Sequence, residues 1–127
     1  MSSEKPFIMD TDYDRQNDSL LMYVKQDYNY KESLPLGNNL ILDFDGNYVP
    51  VALEILDASR ILKVNKNSLT LPFHLDMEIV IKEDCIRIKA AFKVTVHKKE
   101  FDTTPINAEI PNLMNIPANQ SNYAVKV

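Results

Sequence analysis

The sequence has few of the residues that several common kinds of functional site require. Its one cysteine, Cys85, allows no intrachain disulfide, which is expected of a protein from a reducing compartment. Its two glycines, Gly37 and Gly46, are too few for a glycine-rich phosphate-binding loop. No apolar run approaches the roughly 18 residues of a membrane-spanning helix. The opening MSSEKPFIMD lacks a charged segment followed by an apolar stretch, so we expect no signal peptide and a soluble, cytoplasmic protein.

An excess of positive charge is also absent. The formal net charge of -4 argues against a protein whose whole surface binds nucleic acid, so we expect no nucleic-acid partner. The acidic residues are concentrated in one half, because residues 1–59 carry eleven acidic and four basic side chains while the remainder carries seven and ten. This asymmetry suits either attraction between two parts of the chain or an acidic face for a basic partner.

The 127 residues suit one small domain with an extension, and the 45% apolar composition is that of a globular protein. We predict an α+β fold, which consists mainly of an antiparallel β-sheet of about six strands in hairpins, with one short helix near residues 57–66. Residues 1–102 are predicted to form a single globular β-rich domain. Prolines and asparagines recur from residue 103 on, so residues 103–127 are predicted to form an irregular arm or tail.

The clearest pattern is an alternation of apolar residues that predicts a hairpin over residues 68–102. Odd positions from 71 to 81 and even positions from 86 to 96 are all apolar, which is typical of two strands with one buried face. A turn at residues 82–85 sets the register, and it pairs Ile81 with Ile86 and Met77 with Ala90. The same register places Glu78 opposite Lys89 on the outer face.

A second hairpin is predicted around DFDGNYVP. If Gly46 and Asn47 form a two-residue loop, Leu42 faces Val51 and Leu40 faces Leu53. Pro50 has no N–H to donate, so its strand is predicted to be an edge or to carry a bulge there. The following stretch LDASRILKVNKNSL predicts a helix of about two turns, with Asp57 or Ser59 as its cap.

Four aspartates fall within nine residues, in the stretch DTDYDRQND. Asp10, Asp12 and Asp14 alternate as the first carboxylates of a calcium loop do. An EF-hand loop that starts at Asp10 requires a glycine at its sixth position and a glutamate at its twelfth, where this chain has Arg15 and Leu21. We therefore interpret the stretch as a hairpin turn, in which Asp14 and Asp18 accept backbone N–H bonds.

The other candidate sites have less support in the sequence. His74 and His97 are predicted to lie apart on the outer face of the hairpin over residues 68–102, opposite Lys93 and Thr70, so a shared metal is not expected. Cys85 has no activating histidine near it in the sequence. Basic residues on one predicted strand and its exit form a stripe that we interpret as a solvated face, since no aromatics are interleaved for base stacking. The stripe consists of Arg87, Lys89, Lys93, Lys98 and Lys99.

Three short stretches of the sequence resemble one family. YDRQNDSLLMYV, LDFDGNYV and LEILDAS are similar to the motifs of the small prokaryotic proteins called domain of unknown function 2283, over roughly residues 7–62. The matching positions include Tyr13, Asp14 and Asp18, then Asp43, Asp45 and Gly46, and last the run from Glu54 to Ser59. Leu21 replaces a usual tyrosine, and PVAL replaces a glycine–isoleucine pair. The resemblance implies antiparallel strands with a short helix, and it transfers no activity.

Two functions are compatible with these observations. We predict an uncharacterised small protein that acts as a non-enzymatic protein-interaction or regulatory module, self-associates as a homodimer and has a possible protein partner. The alternative is a divalent-metal-binding protein or metal-dependent hydrolase that uses the Asp10/Asp12/Asp14 and Asp43/Asp45 clusters. We assign no catalytic, cofactor-binding or metal-binding residue and predict no cofactor and no membrane partner.

Overall fold

The computed structural model describes residues 5–126 and contains ten strands and two short helices in that range. The first four residues and Val127, which the predicted domain boundaries include, lie outside it. The elements in chain order are β1 Phe7–Asp14, β2 Ser19–Val24, β3 Tyr30–Leu36, β4 Leu40–Asp45, β5 Pro50–Ile55, α1 Ala58–Leu62, α2 Lys66–Thr70, β6 His74–Ile81, β7 Cys85–Val96, β8 Lys99–Asp102, β9 Ile106–Pro111 and β10 Asn119–Val125. Neither helix is long and apolar enough to cross a membrane.

The strands form one mixed sheet in the order β3-β4-β5-β2-β1-β10-β6-β7-β8, and β9 pairs with β7 as well. The pair of β1 and β10 is parallel, and the other pairs between the described strands are antiparallel. The predicted α+β fold with about six antiparallel strands and one helix is therefore wrong, because the described chain is mainly β-structure with ten strands in a mixed sheet. Strands β3, β8, β9 and β10 were missed because their sequences are mixed or polar, and pairing with neighbours decides their conformation.

The segment after residue 103, which was predicted to be an arm or tail, contributes β9 and β10 to the sheet. Its prolines lie at the ends of these strands: Pro105 precedes β9, Pro111 ends it and Pro117 precedes β10. Proline at such positions removes no central ladder hydrogen bond. β10 lies in the interior of the sheet, between β1 and β6, so this part of the segment is not irregular. The division of the chain into domains stays a prediction.

The hairpin of β6 and β7 confirms the register expected from the alternation. Ile81 pairs with Ile86, Met77 with Ala90 and Glu78 with Lys89. The inward side chains are almost fully buried, as Met77 is 4% and Phe92 is 2% exposed. Alternation fixes this register because a slip of one residue would turn every apolar side chain toward solvent.

The β4–β5 hairpin has a different register from the predicted one. Leu42 pairs with Leu53 instead of Val51, and Leu40 pairs with Ile55 instead of Leu53. The N–H of Asp45 donates to the carbonyl of Val49 at 3.0 Å and closes a loop of three residues, 46–48, in which Tyr48 and not Gly46 is left-handed, at φ 59°. The pairing is shifted by two residues from the predicted one. The longer loop accounts for one residue of this shift, and a bulge beside Pro50 accounts for the other. The bulge at this proline was predicted.

The bulge is tied to the last strand through the core. The buried hydroxyl of Tyr123 donates a hydrogen bond to the carbonyl of Pro50, and the Tyr123 ring stacks on Phe7 with 5.4 Å between ring centroids. Burial raises the pKa of Tyr123, so its hydroxyl stays a neutral donor. One aromatic side chain thus joins β10 to β1 and to β5 across the interior.

The predicted helix near residues 57–66 is two shorter helices. Lys63 adopts φ 57° and ends α1, where the N–H of Val64 donates to the carbonyl of Ser59 at 2.9 Å. This 6→1 bond is the Schellman pattern of a helix end. Neither Asp57 nor Ser59 caps α1 with its side chain, so that prediction is wrong. The first N–H groups of α1 donate to Asp18 instead.

Candidate functional site

Asp18 lies at the centre of a polar cluster that joins the turn after β1 to the start of α1. Its Oδ1 accepts hydrogen bonds from the Tyr13 hydroxyl at 2.6 Å and from the backbone N–H of Ser59 at 3.0 Å. Its Oδ2 accepts from the Ser59 hydroxyl at 2.7 Å, and its carbonyl oxygen accepts from the N–H of Ala58 at 2.9 Å. Asp18 therefore satisfies the first N–H groups of α1 from a distant turn.

Partial burial and hydrogen bonding set the protonation states in this cluster. Burial opposes the ionisation of Asp18, but the hydrogen bonds from Ser59 and Tyr13 outweigh it and lower the pKa of Asp18. Burial, and next the hydrogen bond to Asp18, raises the pKa of Tyr13. At neutral pH Asp18 is a charged acceptor and Tyr13 a neutral donor. These bonds join the turn after β1 to the start of α1, so the cluster is suited to holding the fold.

The other motif aspartates act within turns. Asp14 accepts the backbone N–H of Asn17 at 3.2 Å, as predicted, and the Asn17 amide at 2.7 Å. Asp45 accepts the backbone N–H groups of Asn47 at 2.8 Å and Val49 at 2.9 Å. These bonds stabilise the loops in which the aspartates lie.

The two aspartate clusters that were considered for metal binding do not converge. Asp10 lies 3.5 Å from the Lys25 ammonium, and Asp14 is engaged by Asn17. Asp43 lies on β4, which β5 and β2 separate from β1. Within residues 5–126, no three carboxylate, imidazole or thiol side chains come together in a way that suits a metal ion. The arrangement therefore gives no support to the metal alternative.

The remaining candidates are separated as well. His74 faces Lys93, as predicted, and its Nε2 lies 3.3 Å from Glu100. His97 lies in the turn before β8 at φ 50°, so its predicted position opposite Thr70 is wrong. Burial, and next Asp84, raises the pKa of the Cys85 thiol, which disfavours the reactive thiolate.

Acidic partners interrupt the basic stripe on β7. Arg87 Nε lies 3.0 Å from Glu109 Oε1, and Lys89 faces Glu78 across the strand pair. Lys93 Nζ lies 3.8 Å from Asp102 Oδ1. This face carries both signs of charge, which is typical of an ordinary solvated sheet surface.

The feature that sequence reasoning missed is the loop 112–116 between β9 and β10. Asn112 is only 7% exposed, and its amide nitrogen donates to the carbonyls of Lys82 and Ile116, both at 2.9 Å. Its amide oxygen accepts the N–H of Ile116 at 3.0 Å. The fixed loop displays Leu113, which is 85% exposed, and Met114, which is 42% exposed. Nothing local in PNLMNIP indicates that the asparagine is buried and the leucine is not.

Comparison with known proteins places these features in a family. A model described as protein of unknown function (DUF2283) matches residues 11–59. An uncharacterized protein of Methanocaldococcus jannaschii is 37% identical over 91 residues, which cover 70% of this chain and 76% of the relative. A putative hypoxanthine phosphoribosyltransferase of Methanosarcina mazei is 31% identical over 106 residues, or 84% of each chain. No solved structure matches the chain.

The matched range contains all three residues of the polar cluster around Asp18. It includes Tyr13 and Asp18 near its start and Ser59 at its end. The same three residues make the cluster that fastens α1 to the turn between β1 and β2. By its sequence match and by these relatives, the chain belongs to the DUF2283 family of proteins of unknown function.

Proposed function

We propose that this chain is a non-enzymatic protein-interaction module that self-associates as a homodimer through the loop 112–116. The observation that carries the proposal is the exposure of Leu113, at 85%, on a loop that the buried Asn112 side chain holds in place. A single exposed apolar residue is common on protein surfaces. Leu113 and Met114 are adjacent, and the buried Asn112 side chain anchors their loop, so this pair is a better candidate for a protein–protein contact.

The energetics of such a contact are favourable for a small patch. Burial of one leucine side chain contributes about 1.5–3 kcal/mol, and a two-fold axis brings the same residue from both copies into the interface. A mobile loop would lose conformational entropy on binding. Here the hydrogen bonds of Asn112 have already ordered the backbone, which reduces that cost.

Light scattering across a range of protein concentrations tests this proposal. We expect the parent to dimerise and Leu113→Ser to stay monomeric at concentrations where the parent is dimeric. Leu71→Ser is a matched control, because Leu71 is also exposed, at 48%, but lies between α2 and β6. A parent that stays monomeric at high micromolar concentration, or a Leu113→Ser variant that dimerises equally well, would contradict the proposal.

Point variants are preferable to a deletion of residues 104–127. That deletion removes β9 and β10, and β10 is the strand that connects β1 with β6. Ile106 and Ile116 are also buried in the core, at 6% and 2% exposure. Loss of dimerisation in the truncated chain would therefore report loss of the fold as readily as loss of an interface.

Two other activities have direct tests. A thermal melt with calcium, magnesium or manganese would show a raised midpoint if a specific site existed, and we expect none. The name of the Methanosarcina mazei relative suggests hypoxanthine phosphoribosyl transfer. We do not extend that activity to this chain, whose two glycines both lie in turns between neighbouring strands. Turnover in an assay for that transfer would replace the proposed function.

A further inference from the structure

The sheet parts beside β1 and leaves a cleft. β10 pairs with β1 only at Phe7 and Ile8, while the rest of β1 pairs on its other side with β2. The cleft has a volume of about 440 Å³. The lining consists of the stretch of β1 from Met9 to Tyr13, the segment from Leu69 to Phe73, and Lys25, Val125 and Lys126.

The backbone of β1 is oriented toward this cleft at alternate residues. The N–H of Lys25 donates to the carbonyl of Ile8 at 3.0 Å, which fixes the phase of the antiparallel ladder with β2. Even-numbered residues of β1 therefore exchange hydrogen bonds with β2, and the N–H and C=O groups of Thr11 and Tyr13 point the other way. Among residues 5–126, no strand pairs with that side of β1 beyond Ile8.

The side chains of β1 along this edge carry negative charge, whereas Lys25 and Lys126 bring positive charge to the same cleft. Asp10, Asp12 and Asp14 project from the same face of β1, and all three are exposed. Lys25 approaches Asp10, and Asn17 engages Asp14. Asp12 makes no ion pair with any residue that the structure describes.

These charges decide between possible occupants. Edge-to-edge pairing of β1 with β1 of a second copy would place aspartates beside aspartates, which is destabilising. A strand with lysine or arginine at alternate positions would place its cationic side chains beside the same carboxylates. The segment from Leu69 to Phe73 offers apolar contacts to the other face of such a strand, through Leu71 and Pro72.

We propose that this cleft binds an extended basic segment of another protein, which adds to β1 as a further strand. The main-chain groups of Thr11 and Tyr13 supply hydrogen bonds, and the three aspartates select lysine or arginine at alternate positions. The site is separate from the loop 112–116, so the proposal does not depend on self-association.

Two synthetic eight-residue peptides test the proposal by fluorescence anisotropy. One alternates lysine with threonine or valine, and the other has glutamate in place of each lysine. We expect the full chain to bind the lysine peptide at least tenfold more tightly, with affinity that falls as salt is added. Equal affinity for both peptides, or no binding of either, would overturn the proposal and leave the aspartates as charges that keep the edge unpaired.

Two variants locate the binding. Asp12→Lys should lower the affinity for the lysine peptide by about tenfold and raise the affinity for the glutamate peptide, because it reverses a charge beside the added strand. Asp27→Lys is the control, since Asp27 is exposed outside the strands. Thr11→Pro removes one N–H of the edge and should weaken both peptides, with an unchanged circular dichroism spectrum as the check on folding.

The same variants separate this proposal from the previous one. Light scattering should show the same oligomeric state for Asp12→Lys as for the parent. If Asp27→Lys lowered the affinity for the lysine peptide as much as Asp12→Lys does, the effect would come from overall charge. That result would contradict the cleft as the binding site.

Discussion

The hairpin of β6 and β7 and the family-matched part from β1 to α1 are held by different kinds of interaction. The hairpin depends on side chains that alternate between the core and solvent, and its register follows from sequence. The family-matched part depends on a bulge beside Pro50, a left-handed Tyr48 and the carboxylate of Asp18, which contacts a residue 41 positions away. Periodic burial can be recognised locally, whereas single polar bonds between distant residues cannot.

The largest expected effect is on the hairpin. Phe92 is 2% exposed and packs against Phe73 with 5.8 Å between ring centroids. Phe92→Ala should lower the free energy of unfolding by about 3–5 kcal/mol, because it removes buried apolar area and leaves a cavity. Urea unfolding monitored by circular dichroism measures the change.

Substitutions on the opposite face are the control for that experiment. His74 and Lys93 form a pair on the outer face, and each lies near an acidic side chain of β8. His74→Ala and Lys93→Ala should each cost less than about 0.5 kcal/mol, since exposed ion pairs contribute little. Outer-face variants that cost more than Phe92→Ala would contradict burial as the source of stability in this hairpin.

A smaller effect is expected for the polar cluster. Asp18→Ala leaves the Tyr13 hydroxyl and the Ser59 N–H without their partner, and it should cost about 2–3 kcal/mol, since hydrogen bonds to a charged group are the stronger class. Asp14→Ala is the matched control, because Asp14 is exposed and bonds only within its own turn, and it should cost clearly less than Asp18→Ala. Similar costs for the two variants would show that the long-range bonds of Asp18 add nothing.

The pH dependence of stability distinguishes the two regions further. The pKa of Asp18 is lower in the folded chain than its usual 3.8, so its contribution is complete above that value and is lost as the pH falls through the lower folded pKa. The difference in unfolding free energy between the parent and Asp18→Ala should therefore shrink as the pH falls below the usual value of 3.8. A Phe92→Ala difference should stay nearly constant, and a constant Asp18→Ala difference would exclude the charged carboxylate as its cause.

The sequence predicted those parts of the fold that follow from a local pattern or from the chemistry of a single residue. It predicted the inward positions of β6 and β7, the bulge beside Pro50 and the turn bond of Asp14. It did not predict β10 in the middle of the sheet, because the conformation of a polar strand such as NQSNYAV depends on pairing with its neighbours more than on its own propensity.

The candidate sites were predictable only in part. The aspartates of β1 were visible in the sequence, but their relation to an open strand edge required the pairing of β1 with β10. The exposure of Leu113 was hidden because an apolar residue near prolines is equally compatible with burial. Contacts between segments that are distant in the sequence determine both the open edge of β1 and the exposure of Leu113.

The position of β10 has a consequence for how the chain folds during synthesis. β10 follows all the other described strands along the chain, yet it joins the two halves of the sheet. A ribosome-bound chain that has emerged only as far as β9 presents β1 and β6 as open edges without their shared neighbour. Sheet closure must therefore wait until residues 119–125 have emerged, and the β1–β10 pairing joins residues more than 110 positions apart, which is typical of slow-folding topologies. Until then, the nascent chain is exposed to incorrect strand pairing with other chains.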